Sequence, residues 1–184
     1  LLSVELSGNP LDEASLAVHL PNLIRRGVQV NLYLTSGAVF IPDLRLEKML
    51  REASGVNLGF LTRDNLAGVR RLDIFAEDEV TDLRGIQHLK NLTRLDIHRS
   101  EIEDMSPLSA LAQLRWLKLE RTDVGDPRNP SSGDLAFLTG LTELQTLSLI
   151  AVGATDISGL QTLTKVRILS LAGNRITDLT PLSG

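Results

Sequence analysis

Two carboxylates stand in the same short frame. Asp73 falls in RLDIF (71–75) and Asp96 in RLDIH (94–98), each with an arginine two residues before it and an aromatic ring two residues after it. If the frames lie side by side, the carboxylates become neighbours. Paired carboxylates can share general acid and base work; like charges set side by side can also call for a basic group on a partner, the alternative being that Arg71 and Arg94 alongside simply neutralise them. Acid–base catalysis also needs a site that excludes water. Nothing around these residues encodes one, so we read them as recognition residues and not as catalysts.

The other chemistry-bearing residues point the same way. Asp82, Asp104, Asp126, Asp156 and Asp178 recur each time two residues after an apolar position, a pattern that suits capture of free backbone N–H groups better than a metal ladder. His19, His88 and His98 show no H-x-x-x-H or other ligand spacing, and there are no cysteines, which excludes a thiolate metal site, a disulfide framework and a cysteine nucleophile. No Gly-rich phosphate loop or G-x-S-x-G elbow is present. We expect no enzyme activity, no metal and no cofactor. Asn91-Leu92-Thr93 spells a glycosylation sequon, but the repeat described next demands the same letters.

These residues sit inside an internal repeat. From Val69 onward one apolar triplet is written five times: Val69/Leu72/Ile74, Leu92/Leu95/Ile97, Leu114/Leu117/Leu119, Leu144/Leu147/Leu149 and Val166/Leu169/Leu171. The central leucines step by 23, 22, 30 and 22 residues, a constant period with one long step. That is a repeat array (69–184) carrying an insertion, PRNPSSGD at 127–134, whose prolines and Ser-Ser-Gly make a projecting loop.

The 184 residues, 42% of them hydrophobic, are enough for a substantial core. A net charge of −4 argues against nucleic acid as a partner. No apolar run approaches the ~20 residues of a membrane helix. The opening LLSV has neither an initiator Met nor a basic leader, and the last repeat stops at PLSG without a polar closing segment, so we expect a piece of a longer protein.

Before the array, residues 1–33 read as a strand–helix–strand unit, the terminal repeat of a preceding array or else a first tier stacked on the second one. LLSVELSGNPL holds a strand and turn, Asp12 can cap DEASLAVHLPNLIRRG, Pro21 should bend or split that helix, Gly27 ends it, and VQVNLY returns as a second strand. Residues 34–40 form the linker. In IPDLRLEKMLREASG, Asp43 is an N-cap, Leu46, Met49, Leu50 and Ala53 share a face, and Gly55 closes the helix; Thr62 caps a further short turn. We assign 41–68 as a helical cap, because an array's first tier must be covered.

The repeats resemble internalin-type bacterial leucine-rich repeats, in which a short strand, an Asn turn, an I-x-D step and a P-L step make one coil. The I-x-D step or its equivalent stands at Val80/Asp82, Ile102/Asp104, Val124/Asp126, Ala154/Asp156 and Ile176/Asp178, and P-L at Pro107-Leu108 and Pro181-Leu182. Residues 41–68 look like the N-terminal cap of such arrays, and 7–30 like their terminal repeat. The turn Asn appears only at Asn9 and Asn174. Glu77, Ser100, Thr122 and Val152 take its place elsewhere; Ser100 and Thr122 can still bond backbone groups, whereas Val152 cannot, so the Asn row is interrupted. The resemblance implies a bacterial surface or secreted setting.

The expected fold is therefore an α/β right-handed solenoid, with short parallel strands on the concave face, irregular or short helical segments on the convex side, and an N-terminal helical cap. Residues flanking the buried leucines point to the concave face. They fall in three rows: Arg71, Arg94, Trp116, Thr146 and Ile168; Asp73, Asp96, Lys118, Ser148 and Ser170; Phe75, His98, Glu120, Ile150 and Ala172. We expect a protein ligand on this face, contacted by Arg71, Asp73, Phe75, Arg94, Asp96, His98, Trp116, Lys118, Glu120 and Ile150, with the 127–134 loop at the rim. Trp and Arg are the usual composition of binding hot spots; the plainer alternative is that Trp116 lies across Arg94 as a solvated cation–π pair. The competing roles are a stiff spacer within a larger protein and a regulatory subunit docking on an enzyme.

Overall fold

The computed structural model describes residues 3–5, 19–31, 38–57, 60–102, 104–121 and 135–183. Asn9, Asp12, Thr122, Asp126 and the 127–134 insertion lie outside the described residues. The apolar triplets form five short strands, β3 (Arg71–Ile74), β4 (Arg94–His98), β5 (Trp116–Glu120), β6 (Thr146–Ile150) and β7 (Ile168–Ser170), preceded by a separate parallel pair, β1 (Ser3–Glu5) and β2 (Gln29–Asn31). β3 to β7 make one parallel sheet in chain order, with Leu72, Leu95, Leu117, Leu147 and Leu169 in register. Each strand returns through a short 3₁₀ segment: Ile86–His88, Ser106–Ala110, Ala136–Gly140, Ser158–Thr162 and Thr180–Leu182.

Between strands and returns lies a continuous leucine-rich core that also takes in Ile41, Leu46, Leu50, Leu61 and Leu66. Side chains such as Leu95, Leu117 and Leu147 are wholly inaccessible, each stabilising the fold by about 1.5–3 kcal/mol. Stacking leaves little room between returns: a Cβ on Gly140 would lie 2.5 Å from the Ser109 carbonyl oxygen. In the last coil the corresponding apolar groups are open, with Leu169, Leu179 and Leu182 exposed.

In the N-terminal part, α1 (Leu20–Arg25) holds Pro21 in its first turn, where its missing N–H removes no helix bond; Gly27 turns left-handed (φ 75°) just beyond. α2 (Leu44–Ser54) and α3 (Arg63–Ala67) follow. Leu46 and Leu50 are fully buried and Met49 partly so, but Ala53 faces solvent, so the buried stripe ends one turn earlier than its spacing predicts. Thr62 caps α3 reciprocally with Asn65.

Asp43 holds two elements at once. Its Oδ1 accepts from the N–H groups of Arg45 (2.8 Å) and Leu46 (3.1 Å), capping α2, while Oδ2 accepts from those of Thr81 (2.9 Å) and Asp82 (3.2 Å) in the first coil. One buried carboxylate thus ties α2 to the array. Beside it, Gly85 (φ 113°) lies so close to Ile41 that a Cβ there would stand 2.2 Å from Cδ1.

The strand-to-return turn repeats one backbone device. Arg99, Arg121, Ala151 and Gly173 all have positive φ, and the N–H groups of the first three extend the ladder to Glu120, Ile150 and Ala172. In the last coil Asn174 bonds across coils: its Nδ2 donates to the Leu149 and Leu171 carbonyls, and its Oδ1 accepts from the N–H groups of Val152 and Ala154. Val152 itself has its backbone N–H satisfied by Asn174 of the next coil, while the coil before it, which its side chain cannot serve, lies outside the described residues from 122 to 134. Ser100 departs from expectation: its hydroxyl is buried without a hydrogen-bond partner.

Candidate concave recognition face

The in-register strands bring the three rows together. Arg71, Arg94, Trp116, Thr146 and Ile168 are successive partners, as are Asp73, Asp96, Lys118, Ser148 and Ser170, and then His98, Glu120 and Ile150. Phe75 lies just past β3 and stacks on His98, centroids 5.3 Å apart and planes 25° from parallel. All ten candidate residues therefore share the outward side of one sheet.

At its centre Asp96 is only 5% exposed and accepts two bonds, from Trp116 Nε1 (2.8 Å) and from Arg94 Nη2 (2.7 Å). The Arg94 guanidinium in turn lies over the indole ring, 4.2 Å from its centroid. The three side chains fix one another, and Arg94 Nε, buried under them, has no hydrogen-bond partner. Trp116 takes the cation–π geometry and keeps a half-exposed face.

The adjacent carboxylates Asp73 and Asp96 are neutralised within their own strands, since Arg71 also pairs with Asp73 at 2.8 Å. One coil on, Lys118 Nζ binds Glu120 Oε2 (2.8 Å), and His98 Nδ1 lies 3.5 Å from the same oxygen. The Lys118 bond, against slight burial, holds the Glu120 carboxyl below the ordinary glutamate range. Across coils one to three the face is polar but internally balanced; in coils four and five it carries no charge. Its exposed apolar groups are Phe75 (41%) and Ile168 (60%), with Ile150 half-buried between them.

The second carboxylate set lies away from this face. Oδ1 of Asp82, Asp104, Asp156 and Asp178 accepts the N–H of Arg84, Ser106, Ser158 and Thr180, each at 2.8 Å, so these groups fasten the convex returns. Burial pushes the Asp82 carboxyl up, but the bonds from Arg84 outweigh it and hold it below the ordinary range; the Thr180 bonds do the same for Asp178. Among the described residues no group of three or more His, Asp or Glu side chains is placed to hold a metal ion. Two cavities, of about 630 and 620 Å³, lie between α1 and the first coil and at the last coil, and neither takes in a residue of the three rows.

A parallel sheet with one strand per repeat, short convex returns and a leucine ladder between them defines a leucine-rich repeat solenoid, a fold that presents an extended concave surface to protein partners. No protein-family model and no curated protein sequence matches the chain. Among solved structures it is similar to internalin C2 of Listeria monocytogenes (27% identity, TM-score 0.71, covering 82% of this chain and 65% of that one). It also matches internalin F of the same organism in fold (24% identity, TM-score 0.56, covering 77% of this chain and 46% of that one). The chain thus has a leucine-rich repeat fold similar to that of these bacterial internalins. It spans less than two-thirds of the length of either internalin. No helix among the described residues is long and apolar enough to cross a membrane.

Proposed function

We propose that the chain is a non-catalytic recognition module that binds a protein ligand through the concave face of coils one to four. The observation that carries this is the Asp96–Arg94–Trp116 unit. A carboxylate buried on the open side of a sheet holds an indole and a guanidinium in a single arrangement, so a partner meets them already ordered and the entropy of fixing them is spent on folding. The Phe75–His98 stack extends this surface on one side and Ile150 on the other. We also propose the division of the chain made above, with 41–68 as the cap of the array, 1–33 as a strand–helix–strand terminal repeat of a preceding array, and 34–40 as the linker.

The test is site-specific photo-cross-linking. A photoreactive residue at Ser148, on the concave rows, should trap a protein partner that one at Thr162, on the convex returns, does not, and Trp116→Ala should abolish the product. Equal trapping from both positions would sink the concave assignment; the same partner trapped only from Thr162 would favour docking by the convex side.

A further inference from the structure

We propose that the edge of the concave face at the N-terminal ends of the strands is a docking row for an acidic protein segment, seated on Arg70, Arg115 and Arg167. The proposal rests on the protein-recognition reading above and specifies the chemistry of the partner. Backbone bonds define the row: Thr93 N–H donates to the Arg70 carbonyl, Arg115 to Thr93, Gln145 to Arg115 and Arg167 to Gln145. Side by side it therefore reads Arg70, Thr93, Arg115, Gln145, Arg167. Arginine alternates with an uncharged polar residue, and no acid occurs in the row.

What separates these arginines from the basic residues of the concave rows is that nothing neutralises them. On the concave rows Arg71 pairs with Asp73, Arg94 with Asp96 and Lys118 with Glu120. Arg70, Arg115 and Arg167 are exposed, and among the described residues none of them forms an ion pair; the sole side-chain bond is a long one (3.4 Å) from Arg70 to the Asn91 carbonyl. The flanking positions offer no relief. The row on the concave side has no acid, the row behind is apolar, and the next one back has only Glu143, which is taken by Lys165. In a chain with 23 acidic and 19 basic residues, a line of guanidinium groups without ion pairs along one edge is a site that favours an anionic partner.

The spacing fits a carboxylate repeat. Strands lie about 4.8 Å apart, so alternate coils place guanidinium groups about 9.6 Å apart. A polyproline II segment rises about 3.1 Å per residue with three residues per turn, so acids at every third position fall on one face about 9.3 Å apart. Each would meet one arginine, whose planar fork suits a carboxylate.

The probe is a fluorescently labelled proline-rich peptide of about fifteen residues with Glu at every third position, read by anisotropy against the full chain. The Glu peptide should bind, weaken as salt is raised, and bind at least tenfold more weakly to Arg70→Gln/Arg115→Gln/Arg167→Gln. A variant with the same charge change elsewhere, Arg25→Gln/Arg26→Gln/Lys48→Gln, should bind within twofold of the unaltered chain, and a peptide with Gln in place of Glu should not bind. No binding of the Glu peptide, equal loss in both triple variants, or no loss in the first would overturn the proposal. So would tighter binding of a single-stranded oligonucleotide of equal charge through the same arginines, which would assign the row to nucleic acid. The peptide's only apolar side chains are its proline rings, and its Glu contacts fall on the arginine row, so Phe75→Ala/Trp116→Ala should bind it normally; the wider concave reading stands or falls separately, on the cross-linking.

Discussion

Replacing Asp96 by Asn tests whether one buried carboxylate orders the recognition face. The amide keeps one acceptor oxygen, which can serve Trp116 Nε1 or Arg94 Nη2 but not both, and its NH₂ faces the donor left over. A hydrogen bond to a charged group contributes about 1.5–3 kcal/mol. Arg94 is about one-third exposed, so water recovers part of its loss. Relief of the Asp73–Asp96 juxtaposition offsets at most about 0.5 kcal/mol. The net expectation is about 2 kcal/mol of destabilisation, or a Tm lowered by about 4–8 °C for a chain of this size. Trp116 is the sole tryptophan, so tryptophan emission, excited where tyrosine does not absorb, reports on this site alone. Its emission should shift to longer wavelength and its quenching by acrylamide should rise. An unchanged spectrum with Tm within about 1 °C of the parent would refute the claim that Asp96 holds the indole in place.

Asp43→Ala should cost about 2–4 kcal/mol in urea unfolding, since four backbone N–H groups lose their acceptor, and Asp43→Asn should fall between it and the parent. Gly85→Ala should destabilise by about 2–3 kcal/mol, and Ile41→Val, which removes the clashing Cδ1, should lessen the steric part in a double-mutant cycle. Ala151→Gly should stabilise by about 0.5–1 kcal/mol, because the left-handed conformation at φ 53° suits glycine. The His88 imidazole is held below its ordinary 6.5 by burial and by Arg63 and Lys90. The unfolded chain thus takes up that proton first, and stability should decline as pH falls below 6.5, a slope that His88→Gln removes in urea midpoints measured across pH. Asp82, Asp178 and Glu120, whose folded values are lowered, add a further loss only in the acid range, as pH falls through those values.

Much of this architecture was legible because leucines separated by a constant period can be buried together only by stacking. The triplets gave the strands and their register, and therefore the three rows, from spacing alone. Local chemistry was equally readable where a residue acts within a few positions: Asp82, Asp104, Asp156 and Asp178 each reach an N–H two residues on, and Asp43 and Thr62 cap the helices that follow them. What spacing could not reveal is action at a distance. The second oxygen of Asp43 binds N–H groups 38 and 39 residues away, and Asn174 serves the backbone of the coil before its own.

The like charges of Asp73 and Asp96 suggested an unmet demand for a basic partner. Their arginines, two residues earlier on the same strand faces, meet that demand inside the molecule, and the unmet charge lies instead one residue further back, at Arg70, Arg115 and Arg167. Sequence periodicity placed the carboxylates and their arginines on one sheet but did not single out Arg70, Arg115 and Arg167, each just before a strand. Only side-chain geometry separates the paired from the unpaired.

The most direct test of the central claim is a cross-linking pull-down from lysate and culture medium of the source cell, comparing the unaltered chain with Phe75→Ala/Trp116→Ala, after circular dichroism has established that both are folded. A specific protein should be recovered with the first and lost with the second. Equal recovery with both, or no partner with either, would contradict concave-face recognition and leave the array as a spacer.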